Sequence, residues 1–271
     1  MRKAPAEETN KISKAEFLRE SACAANECCV FDDETLDDLQ VGGCRLIQKK
    51  TGFRFGMDSV LLSHFVSLPE HASVADFGAG AGVLTVLLAA HKRGNRFYAF
   101  EIQTEIAEMM RRSVRLNGFE DIVIVYDKDV QDSPKILGIN AVDAVVCNPP
   151  YSEPGTFVAS VDIRTRIARQ QDSETIDVFL AAAYSVLRGK GRLFLVYPAH
   201  SLMSIMNRLT VHGIEPKRIR LVHPYADRPA RLVMIEAVKN ARPSLNVLPP
   251  LIVYERTDIM TSEMKKIYDT G

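Results

Sequence analysis

The chain has 271 residues, 46% of them hydrophobic, with 34 Lys and Arg balanced by 34 Asp and Glu. This length suits one large α/β domain with or without an appendage, zero net charge argues against a uniformly basic nucleic-acid binder, and no window approaches the ~18 consecutive apolar residues of a membrane span. The opening residues lack the apolar stretch of a signal peptide and the five cysteines show no CxxC pairing, so a soluble, cytoplasmic protein with thiols, no disulfide framework, no metal site and no membrane partner is expected.

Residues 1–40 are polar and acidic, with Glu27, Asp32, Asp33, Glu34, Asp37 and Asp38 unopposed by any base between 27 and 38, and are expected to form a tail or a peripheral helix. From 41 to 271 the chain reads as one domain in which short apolar runs alternate with helical spacing. "GFRFGMDSVLLSHF" (52–65) carries Phe55, able to cover a flat ligand, and Asp58, which can cap the helix that follows or contact the ligand. "ASVADF" (72–77) predicts a strand, "GVLTVLLAAHKR" (82–93) a helix and "RFYAFE" (96–101) a second strand. "TEIAEMMRRSVRLNG" (104–118) predicts a helix with Thr104 as its N-cap. Strands follow at 121–129 and 142–148, a helix over 173–191, a strand over 191–198, a helix over 201–213, and strands over 217–223 and 231–238. Such regular alternation predicts an α/β fold, Rossmann-like, with a mostly parallel sheet covered by helices on both faces.

Asp76-Phe77-Gly78-Ala79-Gly80-Ala81-Gly82 joins the first of these strands to its helix. Missing Cβ atoms there let backbone amides approach a ligand at a helix N-terminus, although a tight strand-to-helix turn also asks for glycine. A dinucleotide fingerprint would need a glycine at Val83, so a pyrophosphate ligand is excluded on spacing. Glu101, closing the next strand, can accept both hydrogen bonds of a ribose diol, and Asp129 stands where an acid can accept from an adenine amino group, with Asp127 close enough to compete for that role. Together these residues predict a nucleoside ligand with a small zwitterionic tail.

Asn148-Pro149-Pro150-Tyr151 ends the strand over 142–148. The prolines remove backbone donors and fix φ, so the turn is either a plain strand-ending loop or a stiff lip of acceptors. In the second case Asn148 Oδ1 and the Pro149 carbonyl accept the two N–H bonds of a conjugated amino group, aim its lone pair and stabilise positive charge developing on nitrogen. Tyr151 supplies a face on which a planar base or amide stacks. Arg164, Arg166 and Arg169 after this turn, and Lys217, Arg218, Arg220, Arg228 and Arg231 later, suit RNA phosphates or form an ordinary solvated basic face.

The order DFGAGAG, Glu101, Asp129, NPPY resembles the class I S-adenosylmethionine-dependent methyltransferases. That resemblance implies a seven-stranded sheet with a reversed terminal hairpin, the methionine part of S-adenosyl-L-methionine over Gly78 to Gly82, ribose on Glu101 and adenine near Asp129. In such enzymes an NPPY-type motif accompanies methylation of an amino nitrogen on adenine, guanine or a glutamine side chain. Residues 52–65 and 228–255 further resemble the bacterial enzymes that methylate N6 of adenine 37 in valine tRNA, a likeness extending over about 41–268. It implies an RNA partner, tRNA, and a contact of Arg54, Phe55 and Asp58 with the cofactor. "RIARQQDSETI" departs from that family's Ala-Arg-His-Glu pattern, with Gln170 and Gln171 in the last two places, which bears on substrate identity. Protein glutamine methylation, guanine N2 methylation of rRNA and RNA recognition without chemistry stand as alternatives. A monomer is expected, since no heptad or extended apolar stripe calls for a partner.

Overall fold

The structure, a computed structural model, describes residues 30–51, 56–149 and 172–269. Its strands in chain order are β1 Glu34–Asp38, β2 Arg45–Lys49, β3 Ser73–Phe77, β4 Arg96–Glu101, β5 Val123–Asp127, β6 Val142–Cys147, β7 Leu187–Pro198, β8 Ile214–His223 and β9 Leu232–Lys239, followed by four strands of two or three residues between Asn246 and Met260. The helices are α1 Met57–Phe65, α2 Val83–Ala90, α3 Thr104–Leu116, α4 Ser133–Leu137, α5 Asp172–Val186, α6 Leu202–Val211 and α7 Ser262–Asp269.

Seven long strands lie side by side in the order β8-β9-β7-β6-β3-β4-β5, and the short pairs at 246–247 and 251–252 extend the sheet along β8. Among the described strands of this sheet, β9 alone runs against its neighbours. This is the expected Rossmann-like architecture with a reversed strand near one end. The central strands are buried on both faces, which is why "VADF" and "AVVC" are apolar runs rather than alternating ones. Alternation persists in the packing: Val74 joins the core on the side of α1, α2, α3 and α7, while Ala75 and Phe77 join the one beneath α5 and α6.

Three local expectations change. The acidic stretch does not stay peripheral in its described part, because β1 pairs with β2 from Glu34↔Lys49 to Asp38↔Arg45. Glu34 is buried there and receives a bidentate Arg112 guanidinium at 2.7 and 2.8 Å, so the hairpin is fastened to α3. Thr104 is the first residue of α3 and not its cap: Gln103 holds the N-cap position, its amide bound to Glu101 Oε1 at 2.9 Å. The helix expected over 173–191 ends at Val186, where Lys239 Nζ, buried against the Tyr184 ring, donates to the Tyr184 and Leu187 carbonyls and the chain turns directly into β7.

Candidate active site

From β3 the chain winds outward to β4 and β5, then returns to lay β6 on the other side of β3. The crevice at the carboxyl ends of β3 and β6 is therefore the switch point of an open α/β sheet, where its ligands bind. Register fixes what lines it. Phe77 pairs with both Phe100 and Cys147, so the next residues along, Gly78, Glu101 and Asn148, form one row across three adjacent strands, and Glu101 pairs with Asp127. At about 4.8 Å per strand, the glycine loop and the Asn-Pro turn are immediate neighbours.

Gly78, Gly80 and Gly82 all take positive φ, at 70°, 55° and 91°. At Gly82 a Cβ would also stand 2.7 Å from Met110 Cγ of α3, whereas at Gly80 it would meet nothing within 4 Å. Gly82 thus lets α3 pack close, and Gly80 leaves the loop's outer side open to a ligand. The Gly78 and Ala79 amides are tied to the Phe100 carbonyl, each at 3.0 Å. Glu101 is 5% exposed and bridges the loops: its Oε2 accepts from Gly80 N at 2.9 Å and its Oε1 from Gln103 N at 2.9 Å. Oε1 also accepts from Gln103 Nε2 at 3.3 Å, so Oε2 is the oxygen that keeps a lone pair for a further donor.

Asp76 is 2% exposed and accepts a 2.6 Å hydrogen bond from Thr85 Oγ1 of α2. Burial pushes its carboxyl up to about 7, with the nearby Glu101 charge adding to the rise and the Thr85 hydroxyl and amide opposing it. The Glu101 charge disfavours ionisation of Asp76, and a cationic ligand relieves that repulsion. The donor set therefore fits an ammonium- and sulfonium-bearing nucleoside: open backbone at Gly80, acids at Asp76 and Glu101, and an acceptor for ribose hydroxyls.

Asn148 emerges half-buried from the end of β6, and its Nδ2 donates to Ser59 Oγ at 3.0 Å. Ser59 lies in the first turn of α1 and is 8% exposed. Held in this way the amide keeps Oδ1 for the crevice. Sequence reasoning singled out this segment for Phe55 and Asp58 and passed over Ser59; the available signal was a small hydroxyl residue at a helix start, which reads more simply as a capping residue. Asp58 is not the cap either. Gly56 holds that position, and Asp58 falls in the first turn, where its charge suits the helix dipole and lies near Tyr268 of α7.

Asp129 lies two residues past the end of β5 on the same rim and is occupied locally: its carboxylate caps the short turn Val130–Asp132, with Oδ1 accepting from Gln131 N at 2.9 Å. Beyond Glu101, Ile102 is 64% exposed, an apolar side chain left bare next to the acid in the chain. The later basic residues divide. Lys217 binds Arg242 O and Ser244 Oγ; Arg218 pairs with Glu236 at 2.8 Å and covers the Phe65 ring; Arg220 pairs with Glu263 at 2.7 Å. These three fasten β8 to its surroundings. Phe55, Tyr151, Arg164, Arg166, Arg169, Gln170 and Gln171 lie outside the described residues.

A family model described as "Methyltransferase small domain" matches residues 56–211, more than half of the chain. A Shewanella baltica protein named tRNA1(Val) (adenine(37)-N6)-methyltransferase is 29% identical over 163 residues, which is 60% of this chain and 67% of that one. A Porphyromonas gingivalis protein of the same name is 24% identical over 207 residues, covering 73% and 77% of the two chains. Among solved structures, an Agrobacterium tumefaciens protein described as a predicted O-methyltransferase superposes with a TM-score of 0.64 over 79% of this chain and 96% of its own, at 23% identity.

Proposed function

Because the chain belongs to the methyltransferase small domain family and takes S-adenosylmethionine as its methyl donor, we propose that it methylates the exocyclic N6 of an adenine in tRNA. The observation that carries this reading is the Asn148 amide, anchored through Nδ2 to Ser59 and set beside the glycine loop by the β3–β6 register. The names of the Shewanella and Porphyromonas relatives support the choice of nucleotide.

Bound S-adenosylmethionine supplies an electrophilic methyl group on a sulfonium, and the chain's own residues do the rest. The methionine part would lie over Gly78 to Gly82, where Gly80 leaves open space, Asp76 and Glu101 would face its positive charge, and Glu101 would accept from the ribose. Asp129 and Phe55 complete the adenosine side, and Asp58 stays a candidate for contact with it. On the substrate side Asn148 Oδ1 and the Pro149 carbonyl accept the two amino N–H bonds. A nitrogen whose lone pair is delocalised into the purine is then turned toward the methyl, and the growing positive charge meets two fixed acceptors rather than reorganising water. Tyr151 stacks on the base, and Arg164, Arg166 and Arg169 take the flanking phosphates. The reading includes a monomeric enzyme of the cytoplasm, with residues 41–271 as the methyltransferase domain; no helix among the described residues is long and apolar enough to cross a membrane.

Incubating the protein with S-adenosylmethionine and unmodified tRNA, then digesting to nucleosides for mass spectrometry, should give N6-methyladenosine. Asn148→Ala should keep cofactor affinity and lose about 100-fold or more in kcat, in line with the loss of a charge-stabilising acceptor. Methylguanosine, or methylation of a protein glutamine with RNA untouched, would overturn the assignment.

A further inference from the structure

The rim of the sheet changes sign across the catalytic turn. On the β4 and β5 side, residues 101–103 and 127–129 carry Glu101, Asp127 and Asp129 against Lys128. On the other side, β8 runs parallel to β7, because both are antiparallel to β9. The β8–β9 loop, residues 224–231, therefore returns to the same rim as residues 199–201 after β7, and the Ala199 amide joins the two by donating to the Arg231 carbonyl at 2.8 Å. These segments carry His200, Arg228 and Arg231 against Asp227.

Position and availability separate Arg228 and Arg231 from the bases on β8. Both are exposed, and neither side chain has a partner among the described residues, in contrast to the engaged Lys217, Arg218 and Arg220. The loop itself is held: Arg228 N donates to Tyr225 O at 3.1 Å, His223 Nδ1 lies 2.7 Å from Arg228 O, and the Tyr225 and Tyr254 rings sit 5.7 Å apart. β6 and β9 are separated only by β7, and Leu232 at the start of β9 lies two residues beyond the row of Asn148, so the two stand about 12 Å apart.

We propose that the β8–β9 loop is the substrate-side phosphate clamp, with Arg228 and Arg231 binding the backbone of the RNA beside the nucleotide that enters the crevice. The acidic half of the rim then faces the cationic cofactor and the basic half the polyanion, with Asn148 between them. An RNA laid the other way would bring its phosphates against Glu101, Asp127 and Asp129. The inference rests on the tRNA reading above and adds where that RNA lies.

The test compares wild type, Arg228→Ala/Arg231→Ala and Arg228→Lys/Arg231→Lys on an unmodified tRNA transcript. The alanine pair should raise the KM for tRNA about tenfold at physiological salt and flatten the slope of log affinity against log salt by about two, one for each phosphate left without its guanidinium. Cofactor affinity and kcat at saturating tRNA should stay as in wild type. The lysine pair should keep the salt slope, and Lys217→Ala should leave KM unchanged. If wild type methylates tRNA while the alanine pair shows its KM and its slope, the clamp is wrong and the reading of the active site stands. If wild type neither binds nor methylates RNA, the functional reading falls and the clamp with it.

Discussion

Ser59 and Asn148 are 89 positions apart in the chain and joined by one hydrogen bond. Asparagine can present either an acceptor or a donor, and with Nδ2 donating to the Ser59 hydroxyl it is Oδ1 that is left for the crevice. In Ser59→Ala the amide is free to rotate, so kcat should fall about ten- to hundredfold while cofactor affinity holds, and Ser59→Thr, which restores a hydroxyl, should recover most of the rate. An unaltered kcat in the alanine variant would show that the amide needs no such anchor. At this scale the sequence marked Asn148 because an amide before two prolines is chemically conspicuous. Ser59 was not marked, since a serine at a helix start is commonplace and its partner is brought to it only by folding.

The β1–β2 hairpin shows how an element can be misplaced by composition. Acidic residues between 27 and 38 look like solvated surface, yet Glu34 is 4% exposed and Arg112 5%. Burial by itself would raise the Glu34 carboxyl, but the Arg112 hydrogen bonds, the Phe31 amide and the Arg112 and Lys49 charges outweigh it and hold the group below its ordinary value. Phe31 completes the arrangement, its ring 4.2 Å from the guanidinium. Arg112→Ala should destabilise the protein by about 3–5 kcal/mol, because it strands a buried carboxylate. Denaturant titration measures that loss, and hydrogen exchange should rise first over residues 34–49. Replacing both partners with Leu and Met of similar volume should recover much of it, as the desolvation penalty then disappears with the pair.

For the whole molecule, Asp76 links stability to pH. Its folded pKa of about 7 stands above the unfolded value, so between about pH 4 and 7 the folded state holds a proton that the unfolded chain has released. Its contribution is fully present below the unfolded pKa and is lost as pH rises through 7. His64 acts in the opposite sense: burial first, then the Arg93 and His91 charges, lower it to about 4, which favours folding as pH rises toward 6.5. Comparing wild type with Asp76→Asn cancels the histidine. The variant's advantage should grow by about 3–4 kcal/mol from pH 4 to 7 and then level off, as followed by thermal or denaturant unfolding. A flat difference would mean that Asp76 ionises freely in the fold. Since a cationic ligand favours the ionised carboxylate, wild-type affinity for S-adenosylmethionine should tighten over the same rise in pH. The sequence by itself determined the alternation of strands and helices, the glycine loop, Glu101 and the Asn-Pro turn, because these depend on local periodicity and on residue types whose chemistry is visible singly. Tertiary structure alone decided that Gly78, Glu101 and Asn148 form one row, that Ser59 orients the amide, that Arg218 and Arg220 are engaged while Arg228 and Arg231 are free among the described residues, and that Glu34 is buried. Each of these depends on strand register or on contacts between residues distant in the chain, and no local pattern specifies such pairings.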